Sequence, residues 1–226
     1  IIGSEGTLAF IEEITYYTVE DLKDKASSLI YFKDIKEACS AVTKLKLAKE
    51  ANTINVEAVE LMDRAGLASI ENDPAMPAFI KDFDENVTAL LIETRAISDA
   101  QLDIQTAQIE ELLKEFSVVR DIYFTKDVAE YTLYWKIRKG LFPAVGAVRV
   151  TGTTVIIEDV AYPIECLADA TLELQDLFKK HGYSEALIFG HALEGNFHFV
   201  FTQDFSDAKE VKRYDNLMNE VVTSVA

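Results

Sequence analysis

Two of the chain's three histidines fall in one short stretch, Gly190-His191-Ala192-Leu193-Glu194-Gly195-Asn196-Phe197-His198. If Glu194 and Gly195 form a two-residue hairpin loop, with Gly195 supplying the positive φ such loops require, His191 and His198 stand directly opposite each other on one sheet face. Their Cβ atoms would then be about 4.5–5.5 Å apart. Two imidazoles at that separation can converge on one divalent ion at about 2.0–2.1 Å. A third ligand is needed and nothing nearby in the sequence supplies it, so the spacing equally allows an exposed histidine pair without an ion. His181, alone in Lys179-Lys180-His181-Gly182, reads as part of a helix stop.

A second set of residues lies upstream, where Tyr131, Tyr134, Trp135 and Arg138 are spaced three and four apart on a helix. A guanidinium beside aromatic rings suits a bidentate carboxylate ligand. The same spacing also fits an ordinary surface ion pair next to a core tryptophan. Gly3-Ser4-Glu5-Gly6-Thr7 could bring backbone amides close to a phosphate, or simply turn the chain before a strand. It is neither a Walker loop nor a dinucleotide fingerprint. Glu158-Asp159, ahead of Pro163, is an acidic pair at a strand end that could support metal ligands or simply form a solvated turn. No Ser-His-Asp or Cys-His arrangement emerges.

The elements that must position these residues follow from apolar spacing. Residues 7–17 are rich in β-formers and predict a strand. Residues 27–32 predict another, followed by a helix capped by Asp34, with Glu37 completing a capping box. A strand over 52–56, a brief helix over 56–64 ended by Gly66, a strand over 87–93, a Ser98-capped helix and a strand over 118–124 complete a first unit. The helix from Val128 is expected to break at Gly140 and Pro143. A second unit then runs strand (153–159), helix (164–178), strand (185–191), strand (196–202) and a Ser206-capped helix toward Val222. This is the split β-α-β order of ferredoxin-like α+β folds, an antiparallel sheet with helices on one face, against the competing doubly wound parallel sheet. The second unit lacks a last strand, and Ile1-Ile2 is neither an initiator methionine nor a signal peptide. The chain is therefore expected to begin inside a longer protein and to stop short of its domain's end, with the missing strand supplied by residues beyond Ala226.

Composition narrows the function. With 226 residues, 49% of them apolar and only 4 prolines, the chain can bury a core without disulfides. Lys and Arg number 22 against 39 Asp and Glu, a net charge of −17. That field repels phosphate backbones and anionic lipid, so nucleic-acid and membrane-surface binding are disfavoured. No apolar run approaches the length of a transmembrane helix. Two distant cysteines, Cys39 and Cys166, suit a reducing, cytoplasmic setting.

Taken together, the motifs resemble the C-terminal domain of FAD-linked oxidases, flavoproteins of the vanillyl-alcohol-oxidase type that include D-lactate dehydrogenases, the glycolate oxidase flavin subunit and D-2-hydroxyglutarate dehydrogenases. The likeness rests on residues 2–8, on Trp135-x-x-Arg138, on Glu158-Asp159-Val160-Ala161-Tyr162-Pro163 and on Gly190-His191 through Asn196-x-His198. It implies that residues 1–20, with Gly3, Ser4, Glu5, Gly6 and Thr7 near the cofactor, end the FAD-binding domain. Residues 21–226 would then form the substrate or cap domain. It further implies that His191 and His198 bind a divalent metal, zinc in the first instance, that Arg138 binds a substrate carboxylate and that Asn196 orients the site. The family's third metal ligand and its general base lie in a Glu-His-Gly segment that this sequence does not reach. The resemblance therefore puts the base downstream of Ala226 and no catalytic residue within the chain. Leu193-Glu194 also replaces the usual Gly-Asp. The implied parent enzyme oxidises a D-2-hydroxy acid and passes electrons to an iron–sulfur protein, quinone or cytochrome, with attachment to the inner membrane only through such a partner. The chain alone is expected to be inactive. The competing expectation is a non-enzymatic, acidic ferredoxin-like module that binds a metal or another protein.

Overall fold

Six segments pair into one antiparallel sheet in a computed structural model that describes residues 3–4, 6–74 and 76–226. They are β1 (Asp24–Phe32), β2 (Ala58–Met62), β3 (Thr88–Ala96), β4 (Thr154–Ala161), β5 (Leu187–His191) and β6 (Asn196–Gln203), in the sheet order β1-β3-β2-β5-β6-β4. The helices are α1 (Ile35–Glu50), α2 (Arg64–Ile70), α3 (Asp99–Leu113), α4 (Val128–Val148), α5 (Leu167–Lys180) and α6 (Ala208–Val225).

The order repeats. In β1-α1-β2-β3-α3 the third strand inserts between the first two, and β4-α5-β5-β6-α6 does the same. This is the split β-α-β arrangement of an α+β domain. The two halves join where β2 pairs with β5. Residues 118–125 follow the outer edge of β1, where a fourth strand of the first unit belongs. They make two isolated antiparallel bridges, Phe32 to Val118 and Ser27 to Thr125, instead of the expected continuous strand.

One sheet face carries Phe32, Leu61, Leu90, Phe197, Phe199 and Phe201 into a core with α1, α3, α5 and α6. The expectation of helices on one face describes these four. The central strands are apolar on both sides, however, and their other face also needs cover. There Tyr31, Met62, Leu91, Phe189 and Val200 pack against α2 and α4 through Leu67, Ile70, Ile137 and Leu141.

Local signals at the helix starts hold well. Asp34 accepts the Glu37 amide at 2.8 Å and Ser98 accepts the Gln101 amide at 3.3 Å. The Glu37 carboxylate, however, accepts the Ser117 amide, an alternative to the reciprocal capping box. The last helix is capped by Asp207 in place of Ser206. Ala226 stands at its other end, where the backbone amide donates to the Val222 carbonyl at 3.2 Å. Residues 7–17 form no strand. Their β-formers lack a neighbouring strand among the described residues, and Phe10, Tyr16 and Tyr17 lie exposed.

The strand expected over 52–56 is displaced to 58–62, where β3 and β5 hydrogen-bond it on both sides and override the helical pattern read there. Gly66 stands in the first turn of α2, where a Cβ would lie 3.2 Å from the Asp63 carboxylate that caps it. The helix from Val128 continues through Gly140 and Pro143 to Val148, held by packing on α2 and the sheet.

Candidate functional site

The site lies on the face covered by α4, at the seam between the two halves. Sheet alternation places Glu60 with Met62, His191 with Phe189 and His198 with Val200 on this face. The expected pairing of His191 with His198 shifts by two residues. Residues 192–194 form a single 3-10 turn closed by Gly195 at φ +68°, so His191 pairs with Asn196 and His198 with Phe189. A side chain at 195 would approach the Tyr162 carbonyl to 2.2 Å, which explains why glycine stands there. A two-residue slip preserves the face. The rings remain adjacent across the diagonal, with centroids 5.4 Å apart and planes at 83°.

The Trp135-x-x-Arg138 spacing acquires a physical meaning. Three residues apart on α4, these side chains each meet a buried carboxylate on neighbouring strands. The Trp135 Nε1–H donates to Glu93 Oε2 at 2.7 Å. Arg138 donates from Nε to Glu60 Oε2 at 2.8 Å, with Nη2 also 2.8 Å from that oxygen, and its guanidinium lies over the Phe189 ring at 4.5 Å. Glu93 also accepts from Arg95 Nε at 2.7 Å and from the Ser27 hydroxyl at 3.4 Å. The second Glu60 oxygen, Oε1, is 2.7 Å from His191 Nδ1. His198 Nδ1 contacts the Asp159 carboxylate. A continuous chain thus runs Arg138, Glu60, His191, His198, Asp159 across β2, β5, β6 and β4.

The other expected residues occupy less committed positions. Asn196 lies between His191 and Ala161 in the register, and its amide donates to the Val160 carbonyl at 3.2 Å. Tyr134 donates to Glu130 at 2.7 Å, and burial raises its phenol pKa. At the start of the chain, the Thr7 amide and hydroxyl both bond the Ser4 carbonyl, at 2.8 and 2.6 Å, in an exposed turn with Gly3 and Gly6 at positive φ. Both Thr7 donors are thus turned inward onto that carbonyl. Glu5 lies outside the described residues. His181 is at the α5 C-terminus, with Nε2 3.2 Å from Glu220. Ala226, beyond which the resemblance puts the general base, is the C-terminal cap of α6.

As metal ligands, His191 and His198 each have Nδ1 against a carboxylate, which leaves Nε2 for an ion, a common arrangement around zinc. Among the described residues, however, no group of three or more histidines, cysteines or acidic residues could hold a metal. The pair fits two ligands of a larger set and does not constitute a site alone.

Glu60 and Glu93 were absent from the sequence-based candidates. Their signal was a lone acid on the inner face of an apolar strand, in Val59-Glu60-Leu61-Met62 and Leu91-Ile92-Glu93. Such placements are tolerated when a cation or donor waits opposite. Asp63, just past β2, is equally buried, and among the described residues its carboxylate has backbone partners alone. Burial raises its pKa to about 7, against hydrogen bonds with the backbone of Gly66 and Ile188 that lower it.

Residues 22–226 match the family of FAD linked oxidases, C-terminal domain. The chain is 27% identical over 99% of its length to mitochondrial D-lactate dehydrogenase [cytochrome] of Arabidopsis thaliana, covering 37% of that protein. It is 25% identical over 97% of its length to a glycolate oxidase subunit of Bacillus subtilis, covering 44%. A probable mitochondrial D-2-hydroxyglutarate dehydrogenase of Oryza sativa subsp. japonica is 28% identical over 91% of the chain, which covers 35% of it. The chain therefore spans roughly two-fifths of these relatives. Among solved structures, an alkyldihydroxyacetonephosphate synthase superposes with TM-score 0.61 at 14% identity, over 90% of this chain and 40% of that one. A p-cresol methylhydroxylase superposes with TM-score 0.55 at 15% identity, over 88% and 42%. These structural likenesses concern the fold.

Proposed function

Because the chain belongs to the FAD linked oxidase C-terminal domain family, we propose that it is the substrate-side domain of a flavoenzyme that oxidises a D-2-hydroxy acid to the 2-oxo acid. The observation that carries this reading is the guanidinium of Arg138, joined through Glu60 to His191, whose ring lies against that of His198 on one sheet face. A D-2-hydroxy acid presents a carboxylate and an adjacent hydroxyl, which call for a cation and a polar group next to each other. The relatives named for lactate, glycolate and 2-hydroxyglutarate share that substrate chemistry.

In this reading Arg138 binds the substrate carboxylate through the guanidinium hydrogens that Glu60 does not use, and Asn196 helps to orient it. Phe189, stacked under the guanidinium, excludes water from one side and keeps the charge-assisted bond strong. In the same reading His191 and His198 would face the substrate hydroxyl. A divalent ion such as zinc, held by their Nε2 atoms and at least one further ligand, would supply positive charge opposite a developing alkoxide. FAD, bound mainly by a separate domain with residues 3–7 at its edge, would supply the hydride acceptor. Electrons would leave to an iron–sulfur protein, a quinone or, as one relative's name suggests, a cytochrome.

The test is steady-state reduction of an artificial dye by the full-length FAD-loaded protein, with D-lactate, glycolate and D-2-hydroxyglutarate as substrates. One of these should support turnover, and Arg138→Lys, which loses the planar fork, should raise its KM about 10- to 100-fold. Absence of turnover with every 2-hydroxy acid, or an unchanged KM in Arg138→Lys, would reject the reading.

A further inference from the structure

Glu60 is 5% exposed, and its two oxygens do different jobs. Oε2 accepts from Nε and Nη2 of Arg138, and Oε1 faces Nδ1 of His191. A structural ion pair between sheet and helix would need only the first contact. The second reaches an imidazole whose side chain is 55% exposed, so burying that ring is not its purpose. We infer that Glu60 is a positioning residue that fixes, with one carboxylate, both the tautomer of His191 and the open edge of Arg138.

The argument for the imidazole is one of hydrogen-bond inventory. An ionised carboxylate only accepts, so a neutral His191 facing it must carry its proton on Nδ1 and present the Nε2 lone pair outward. Without Glu60 nothing described on this face would enforce that choice. For the guanidinium, the Nε–Nη2 edge is bound to Glu60 and the plane is set by Phe189. Nη1 and the remaining Nη2 hydrogen are therefore left in a fixed direction. Trp135, anchored on Glu93 one helical turn away, gives α4 a second fixed point on the sheet. The use made of the two oriented groups rests on the reaction proposed above, whereas their orientation does not.

Glu60→Gln separates positioning from mere packing because it is nearly isosteric. Arg138 can only donate, so it must take the amide oxygen, which turns the Gln NH2 toward His191. Nδ1 must then accept, and the proton moves to Nε2. The experiment is 15N-histidine labelling of the full-length protein after dialysis against a chelator, at a pH where the rings are neutral. With three histidines in this chain, single His→Gln variants assign its signals. The wild type should show a protonated Nδ1 at His191, and Glu60→Gln should show an unprotonated one, with His181 and His198 unchanged. A wild-type His191 protonated on Nε2, or a tautomer that persists in Glu60→Gln, would overturn the inference.

In the FAD-loaded protein the same variant should lower kcat about 10-fold, the usual size of such an effect, while KM moves less than in Arg138→Lys. If no 2-hydroxy acid is oxidised but the tautomer switches, the positioning role stands and the proposed reaction falls. If turnover is found and the tautomer does not switch, the reverse holds.

Discussion

Glu60 and Asp159 make the same contact, a carboxylate against the Nδ1 atom of a histidine on a shared sheet face, in opposite surroundings. The Glu60 side chain is 7% exposed and is shared with Arg138, whereas the Asp159 side chain is 63% exposed on β4, at one edge of the sheet. Water competes for Asp159 and screens it, so its contact with His198 contributes little to stability. Glu60 has lost its water and is held by its cation, so removing either partner strands a buried charge. The difference lies in what covers the two strands. β2 is central and overlain by α2 and α4, while β4 is paired on one side only among the described elements.

The largest effect expected from breaking this contrast is in Glu60→Ala. Arg138 would be left buried without its partner, and urea unfolding should show a loss of about 3–5 kcal/mol. A loss under about 1 kcal/mol would mean that Arg138 swings to water and that the pair is not a fixed link.

Asp63 sharpens the comparison from a third direction, as a buried carboxylate with no cation paired to it among the described residues. Its pKa rises from the ordinary 3.8 to about 7 because burial disfavours the charge. Over that interval the native state holds a proton that the unfolded state has released. Its contribution to stability is therefore full at low pH and is lost as pH climbs toward about 7, at roughly 1.4 kcal/mol per pH unit, and is level above that. Asp63→Asn, which can still accept the Gly66 amide, should abolish that slope, so unfolding curves at pH 5 and pH 7 should differ between variant and wild type by roughly 2 kcal/mol. Parallel slopes would show that Asp63 is ionised in the native state.

The smallest effect should come from Asp159→Ala, with a stability change within about 0.5 kcal/mol. A larger loss would erase the distinction between the two pairs.

Much of this was legible before any coordinates. Helix starts at Asp34 and Ser98, and the Lys179-Lys180-His181-Gly182 stop, depend on side chains within a few residues of the backbone they satisfy. The repeated split β-α-β order followed from apolar periodicity. The two histidines were placed on one face correctly, although the loop between them is longer than expected, because alternation tolerates a two-residue slip. Illegible were the elements fixed by distant partners. Residues 58–62 became a strand because β3 and β5 flank them, and residues 7–17 did not because β propensity without a neighbouring strand does not make a ladder.

The candidate site divides in the same way. Arg138, Trp135, His191 and His198 carry chemistry in their types and spacing, and the sequence alone singled them out. That Arg138 meets Glu60, Trp135 meets Glu93, and Glu60 then reaches His191 could be decided only by the packing of α4 across the seam of the sheet. Residues 60, 138 and 191 are far apart in the chain. Covalent proximity determines caps and periodicity, but a shared buried carboxylate exists only where three elements bring their side chains together.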